Sequence, residues 1–515
     1  MRYLEQYRPH FDPEGNKVDR SGYSLVQPVW PILISTVSEW TGKEGTASYR
    51  WCLLLTSLFS VLLAWPMFFL TKELAGKRLA LIAAATVVML PSSFIYSLSV
   101  LPEAAFTLST TFFFWSTLLW SKNRSIRNIL FVVLSASAAF MLKPPGVVLF
   151  ISATIMILWD CADRFGLSWR FRICGVLGIV CGLVAVGAGL VQGLRITFIT
   201  NQTSLAQQWA RELSDPNTIA ALAARFVKAL SYLHVATFGL GMPSVLLVII
   251  LVLQGHGKRF LRRLLGPWLI VVVGYIVIGD LILYLEDHSA IYIYGRYIDR
   301  SLPVIFVVVF WILRVSSRTD VLRRRFAALV VASWILTAVL APSEDLIYAN
   351  NLGYWTWFQL HRNSSIVGVV LGVCLSVMLF HVSVRLRGFV SYGLWVFVLV
   401  VSLLFPVVRL FKHFSESNQW RAEVSRLSMG ISSEKVGESN VVVWLDPTIW
   451  ADSEGTSTYV MHVPHLLEFY DSRLDCLIPS YQHTFNLGDM ILSRRGGLPL
   501  RVVVEQGDLC IYIVD

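Results

Sequence analysis

The sequence predicts an all-α polytopic membrane protein of about twelve spans carrying a small C-terminal α/β domain outside the membrane. Three observations carry that prediction. The 515 residues are 55% hydrophobic and only 15% charged, with a mean hydropathy of +0.62. Apolar runs approaching the roughly 20 residues that a bilayer demands recur through most of the chain. Between those runs the Lys and Arg clusters fall on one side only, as the positive-inside rule requires of cytoplasmic loops.

The elements follow in order. Residues 1–50 read as a first extracytoplasmic loop, with Asp12-Pro-Glu-Gly as a turn signal and one modest apolar patch at 29–37. Spans are expected near 51–70, 79–100 and 104–120, then as a short pair, 129–142 and 147–159, broken by Lys143-Pro-Pro-Gly146. Further spans are expected near 173–194, 238–254, 268–285, 302–315, 327–340, 366–380 and 389–410, closing a transmembrane core over 51–411. Lys72, Lys77 and Arg78, then Lys122, Arg124 and Arg127, Arg164, Arg170 and Arg172, Lys258, Arg259, Arg262 and Arg263, Arg314, Arg318, Arg323, Arg324 and Arg325, and Arg385 and Arg387 all land on one face. That face is the cytoplasmic one. The opposite, outer face then receives the N-terminal segment, 101–103, 143–146, 195–233, 286–300, 343–364 and everything after 411. Within 195–233, residues 218–230 have the pattern of an amphipathic helix that lies on the interface. Residues 412–515 have the size of a small domain, with β-rich runs at 441–445, 459–463, 500–504 and 511–514 and a helical stretch at 464–470.

This composition excludes several classes. The net charge of +10 is explained by cytoplasmic loops rather than by a nucleic-acid partner. Of the seven cysteines none forms a CxxC pair or a His/Cys metal spacing. Cys476 and Cys510 stand in the polar C-terminal region, where an oxidising compartment would join them as a disulfide. His462, His465 and His483 are too loosely spaced for a metal site.

The candidate site residues are charges that sit against hydrocarbon, where charge is costly and usually has a role. Arg296, Asp299 and Arg300 crowd the mouth of a span, among Tyr292, Tyr294 and Tyr297. A structural salt bridge would explain them, but a guanidinium fork also suits a phosphodiester. Lys143, before Pro144-Pro145, either snorkels to the interface or holds a phosphate as a point charge. Glu103, in Leu-Pro-Glu-Ala between two spans, is either an acid favoured by a helix N-terminus or a carboxylate that binds a divalent cation or an acceptor. Glu5, Asp12, Glu14 and Asp19 are individually weak, since acids in a loop are usually only solvated.

Outer-face loops, a Lys-Pro break and an Arg-Tyr…Pro loop opening a late span together resemble the GT-C superfamily of integral membrane glycosyltransferases. More closely, the chain resembles the bacterial relatives of the protein O-mannosyltransferases (dolichyl-phosphate-mannose-protein mannosyltransferase-related) and of the lipid A aminoarabinose transferase. Gln27-Pro-Val-Trp-Pro-Ile-Leu33, Leu74-Ala-Gly-Lys-Arg-Leu-Ala-Leu-Ile-Ala-Ala84, Pro91, Leu101-Pro-Glu103, Leu142-Lys-Pro144 and Gly295-Arg-Tyr297…Pro303 carry the likeness, in order and on matching sides. It covers residues 22–313. The resemblance implies a polyprenyl-phosphate-linked sugar as donor and a lipid, glycan or protein as acceptor, with transfer on the extracytoplasmic face of the plasma membrane. It implies an acidic residue of the first outer loop as general base, with Asp12, Asp19 and Glu103 the candidates here. It assigns the lipid phosphate to basic residues, here Lys143, Arg296 and Arg300 with Tyr297. The chemistry agrees, because a phosphate leaving group needs its charge stabilised and an attacking hydroxyl needs a carboxylate in reach.

In one respect the chain departs from this pattern. Family members begin with a transmembrane helix followed at once by the catalytic Asp or Asp-Glu, whereas Met1 falls inside that first outer loop. The expectation is an upstream start, leaving the chain as written without its catalytic acid and inactive; alternatively Glu5, Asp12 or Asp19 takes that role. Two other classes stay in view: a flippase for a lipid-linked sugar, and a non-catalytic subunit of an envelope glycan assembly. The flippase is disfavoured by the lack of repeat symmetry and of charges deep within several spans.

Overall fold

A computed structural model describes residues 10–11, 17–18, 29–41, 46–97, 100, 102–164, 216–254, 264–277, 298–317, 319–340, 365–385, 393–398, 400, 426–431, 433–435, 441–445, 474–477, 489–494, 498, 500–506 and 509–514. The chain divides into two compact units. One comprises Met1–Ser35 and Leu53–Pro406; the other comprises Thr36–Cys52 and Val407–Asp515.

Among its described residues the first unit is helical apart from a short antiparallel pair, β1 (His10–Phe11) with β2 (Lys17–Val18). In chain order the described helices are α1 (Val29–Thr41), α2 (Thr46–Leu62), α3 (Ala64–Ala75), α4 (Lys77–Val88), α5 (Pro91–Ser97), α6 (Glu103–Lys122), α7 (Ile126–Leu142) and α8 (Val147–Arg164). They continue with α9 (Pro216–Ala236), α10 (Gly241–Leu253), α11 (Leu264–Val277), α12 (Leu302–Ser316), α13 (Asp320–Leu340) and α14 (Ser365–Arg385).

The centre of this unit is α12. Its sequence, LPVIFVVVFWILRVS, is apolar on every side, the mark of a helix that meets protein all round. Accordingly Leu302–Phe310 are all buried, and α12 packs on α3, α4, α10, α13 and α14. Pro303 occupies the first turn of α12, where its fixed φ suits a helix and its missing N–H costs nothing.

Two local signals build the α6–α7 hairpin that positions the site. Helix α6 opens with Glu103 and closes with Lys122, an acid at the positive end of the macrodipole and a base at the negative end. Helix α7 begins at Ser125, whose side chain accepts from the Asn128 amide at 3.3 Å. It stops at Lys143, held extended at φ −155° and ψ 140°, because the ring of Pro144 excludes the helical region for its predecessor. A 3-10 turn, Pro144–Gly146, then leads into α8. The antiparallel hairpin brings the start of α6 beside the end of α7.

Two described helices, Arg50–Ala75 and Ile366–Val384, are long and apolar enough to cross a membrane. The pair Leu222–Ala236 and Gly241–Leu251, bent by 106°, makes a third if it counts as one span. One expected span is split instead. The run 79–100 breaks at Met89–Leu90, and Pro91 starts the separate α5. Expected spans at 173–194 and most of 389–410 lie outside the described residues. The segment read as an interfacial helix at 218–230 runs on to Ala236, with Ala229, Tyr232, Leu233 and Val235 buried, so its end belongs to the core.

The second unit holds a five-stranded mixed sheet: β3 (Val441–Leu445), β4 (Leu474–Leu477), β5 (Met490–Arg494), β6 (Arg501–Gln506) and β7 (Leu509–Ile513). Its order is β4-β3-β5-β7-β6, with β3 parallel to β4 and β5, and β7 antiparallel to β5 and β6. Trp444, Ile491, Cys510 and Tyr512 form its buried core, with Leu498, Leu500 and Val514 against them. The runs expected at 441–445, 500–504 and 511–514 are strands within a residue or two; those at 459–463 and 464–470 lie outside the described residues. The expected Cys476–Cys510 disulfide is corrected by the strand order. Cys476 is on β4 and Cys510 on β7, with β3 and β5 between them. Three strand spacings amount to about 14 Å, whereas a disulfide tolerates about 7 Å between Cα atoms.

A buried charge cluster as candidate functional site

Four charged side chains gather in the helical unit at the start of α6, the end of α7 and the start of α12. Glu103, Lys143, Asp299 and Arg300 are each at most 5% exposed, a burial that such residues reach only when paired or employed. Isolated ions in a dry interior would lose several kcal/mol each, on the order of the whole stability of a domain.

Glu103 and Lys143 form one pair. The Lys143 Nζ donates to Glu103 Oε1 at 2.5 Å. The contact spans 40 residues and follows from the α6–α7 hairpin. Two residues considered separately in the sequence, one for a carboxylate role and one for phosphate, are thus in direct contact.

Asp299 opens a 3-10 turn, Asp299–Ser301, that runs straight into α12. Both of its carboxylate oxygens accept from phenols. Tyr96 of α5 donates to Oδ2 at 2.8 Å, and Tyr232 of α9 donates to Oδ1 at 2.5 Å. Hydrogen bonds to a charged group contribute roughly 1.5–3 kcal/mol each. Two of them, from separate helices, tie the turn to the bundle.

Arg300 lies between two aromatic rings. Its guanidinium carbon is 4.8 Å from the Phe106 ring centroid and 5.1 Å from that of Tyr275. Phe106 stands three residues beyond Glu103, so one face of α6 presents the acid and then the ring. Tyr275 of α11 packs on Phe106 with centroids 5.8 Å apart, and its hydroxyl is 3.1 Å from Thr110 Oγ1 on the next turn of α6. Desolvated cation–π contacts contribute about 2 kcal/mol and hold a guanidinium plane where an ammonium would not lie. Beside Tyr96 and Asp299 is a cavity of about 10 Å³, lined also by Ser60, Ser92, Ser93 and Thr107; it has room for one water.

Of the residues singled out from sequence, the structure brings Glu103, Lys143 and Arg300 into this cluster. Asp12, Asp19, Arg296 and Tyr297 lie outside the described residues. Tyr96, Tyr232, Phe106 and Tyr275 were not foreseen. Only Tyr96 carried a local signal, a phenol in the polar run Ser-Ser-Phe-Ile-Tyr-Ser between two apolar stretches. Among the described residues no group of three or more His, Cys, Asp or Glu is placed to hold a metal ion.

Residues 26–186 match the family model described as "Dolichyl-phosphate-mannose-protein mannosyltransferase". The matched stretch contains Tyr96, Glu103, Phe106 and Lys143 and ends before Tyr232, Asp299 and Arg300. No curated protein matches the chain. Similar solved structures include ArnT from Cupriavidus metallidurans in the apo state, at 12% identity and a TM-score of 0.48 over 94% of this chain and 87% of that one. ArnT from Cupriavidus metallidurans bound to undecaprenyl phosphate stands at 11% and 0.47, with the same coverage. The archaeal oligosaccharyltransferase AglB from Archaeoglobus fulgidus, in complex with an inhibitory peptide and a dolichol-phosphate, stands at 12% and 0.42 over 91% of this chain and 57% of that one. Over residues 26–186 the chain is thus similar to the family described as dolichyl-phosphate-mannose-protein mannosyltransferase, in line with the resemblance read from the motifs.

Proposed function

We propose that the chain is a membrane glycosyltransferase that moves a sugar from a polyprenyl-phosphate donor to a lipid, glycan or protein acceptor on the extracytoplasmic face of the plasma membrane. The observation that carries the proposal is the gathering of Lys143 and Arg300, each at most 5% exposed, at helix ends of the core. Buried cations at such places are functional by default, and two of them suit the charge that develops on a departing phosphate. Arg296 and Tyr297, which immediately precede the described turn in sequence, join them in this reading. The positive-inside pattern of the loops supports the outer orientation.

Glu103, in contact with Lys143, serves this site as the counter-ion that aims the ammonium. Removal of the acceptor's proton then falls to Asp12 or Asp19 in the N-terminal segment, with Glu103 the third candidate base. The membrane, the lipid-linked donor and the acceptor are the partners; nucleic acid is not.

The test is transfer of sugar from a polyprenyl-phosphate-linked donor by the chain reconstituted in lipid nanodiscs. Loss of a general base lowers kcat by about 10²–10⁴-fold, so Asp12→Asn, Asp19→Asn and Glu103→Gln are compared for kcat at saturating donor. Lys143→Met and Arg300→Gln are compared for donor KM. Transfer indifferent to both cations would contradict the proposal. A kcat loss confined to Glu103→Gln, with donor KM unchanged, would move Glu103 from counter-ion to base.

A further inference from the structure

The Tyr96–Asp299–Tyr232 arrangement has no part in the reaction as set out above, yet it is tightly built. Two phenols reach the two oxygens of one carboxylate from α5 and α9, at 2.8 Å and 2.5 Å. They do so across 203 and 67 residues of sequence. All three side chains are buried.

Asp299 itself is a poor candidate for acid–base work on an acceptor. Each oxygen already accepts a hydroxyl proton. What Asp299 does control is the next residue. The turn Asp299–Ser301 hands the chain to α12, and Pro303 leaves its first turn little freedom. Fixing the Asp299 carboxylate therefore fixes the point from which the Arg300 side chain departs toward Phe106 and Tyr275. There is an electrostatic consequence too. A carboxylate beside a guanidinium in a low-dielectric site draws it into a fork-shaped pair, and donors on both oxygens weaken that draw.

We infer that Tyr96 and Tyr232 are positioning residues for Arg300: their hydroxyls clamp Asp299 so that the guanidinium lies against the Phe106 and Tyr275 rings in the orientation that receives a lipid phosphate. This rests on the lipid-phosphate reading above, and its test separates the two. A phenol-to-phenyl change keeps the ring and removes only the clamp.

The experiment measures binding of undecaprenyl phosphate to the full chain in nanodiscs, with thermal unfolding recorded alongside. Wild type, Tyr96→Phe, Tyr232→Phe and the double variant are compared, each also in an Arg300→Gln background. The expected result is a rise in Kd of about tenfold or more in the double variant, with a smaller rise in each single. In the Arg300→Gln background the tyrosine changes should leave Kd unmoved, because groups that act through one residue are not additive. A lowered unfolding temperature with Kd unchanged makes the tyrosines merely structural and overturns the inference. So does an equal effect with and without Arg300. If the double variant does not fold, the single variants decide by the same comparison. Failure of the wild type to bind undecaprenyl phosphate at all overturns the lipid-phosphate reading, and the clamp with it.

Discussion

Removing one partner of the Glu103–Lys143 pair should be far more damaging than removing both. The two side chains are 4% and 7% exposed, so too little water reaches either to screen a charge left alone. Lys143→Met takes this ion-pair partner from the Glu103 carboxylate at the start of α6, and Glu103→Gln takes it from the ammonium at the end of α7. Breaking a buried pair from one side costs about 3–5 kcal/mol. The double variant Glu103→Gln/Lys143→Met removes both charges together and keeps comparable volumes, so its stability should lie within about 1–2 kcal/mol of wild type. Denaturant unfolding in mixed micelles, followed by tryptophan fluorescence, measures the cycle. The expected coupling is large, with the double variant recovering most of what either single loses. Singles that each cost under about 1 kcal/mol would give the pair the energetics of a solvated surface contact and refute the buried-pair reasoning.

Other outcomes follow from the same geometry. Arg300→Lys keeps the charge but loses the guanidinium contacts with the Phe106 and Tyr275 rings, and should raise the donor KM by about tenfold while leaving secondary structure intact. Gly239 has φ +72°, and a Cβ there would collide with Ser376 Oγ and Trp334 Nε1; Gly239→Ala should destabilise the chain by about 1–3 kcal/mol in the same unfolding assay. Peptide mapping of unreduced protein should recover no Cys476–Cys510 cross-link, since β3 and β5 separate their strands.

The helical, membrane-type character of the core was legible in composition and apolar runs because burial in lipid leaves its mark on every residue. Where those runs are cut was harder to see. Pro91 divides an apolar run into α4 and α5, and a hydropathy pattern does not register one ring. Glu103, Lys143 and Arg300 were visible as charges placed against apolar stretches, but their grouping depends on how the α6–α7 hairpin and the start of α12 meet. The tyrosine clamp was invisible for the same reason: Tyr232 lies 67 residues from Asp299, on a helix whose first half looks like a surface helix. In the C-terminal sheet, β3, β6 and β7 show as Val- and Ile-rich runs. Strands β4 (LDCL) and β5 (MILSR) carry charges in short segments and take their conformation from the β3 pairing instead.

The central claim is that this cluster recognises the phosphate of a polyprenyl lipid, and a comparison of undecaprenyl phosphate with undecaprenol tests it most directly. Both lipids are offered to the wild type and to Glu103→Gln/Lys143→Met, the variant expected to stay folded, and bound lipid is counted by native mass spectrometry. The account predicts that the wild type retains the phosphate form preferentially and that the variant loses much of that preference. Equal retention of alcohol and phosphate by the wild type would contradict it.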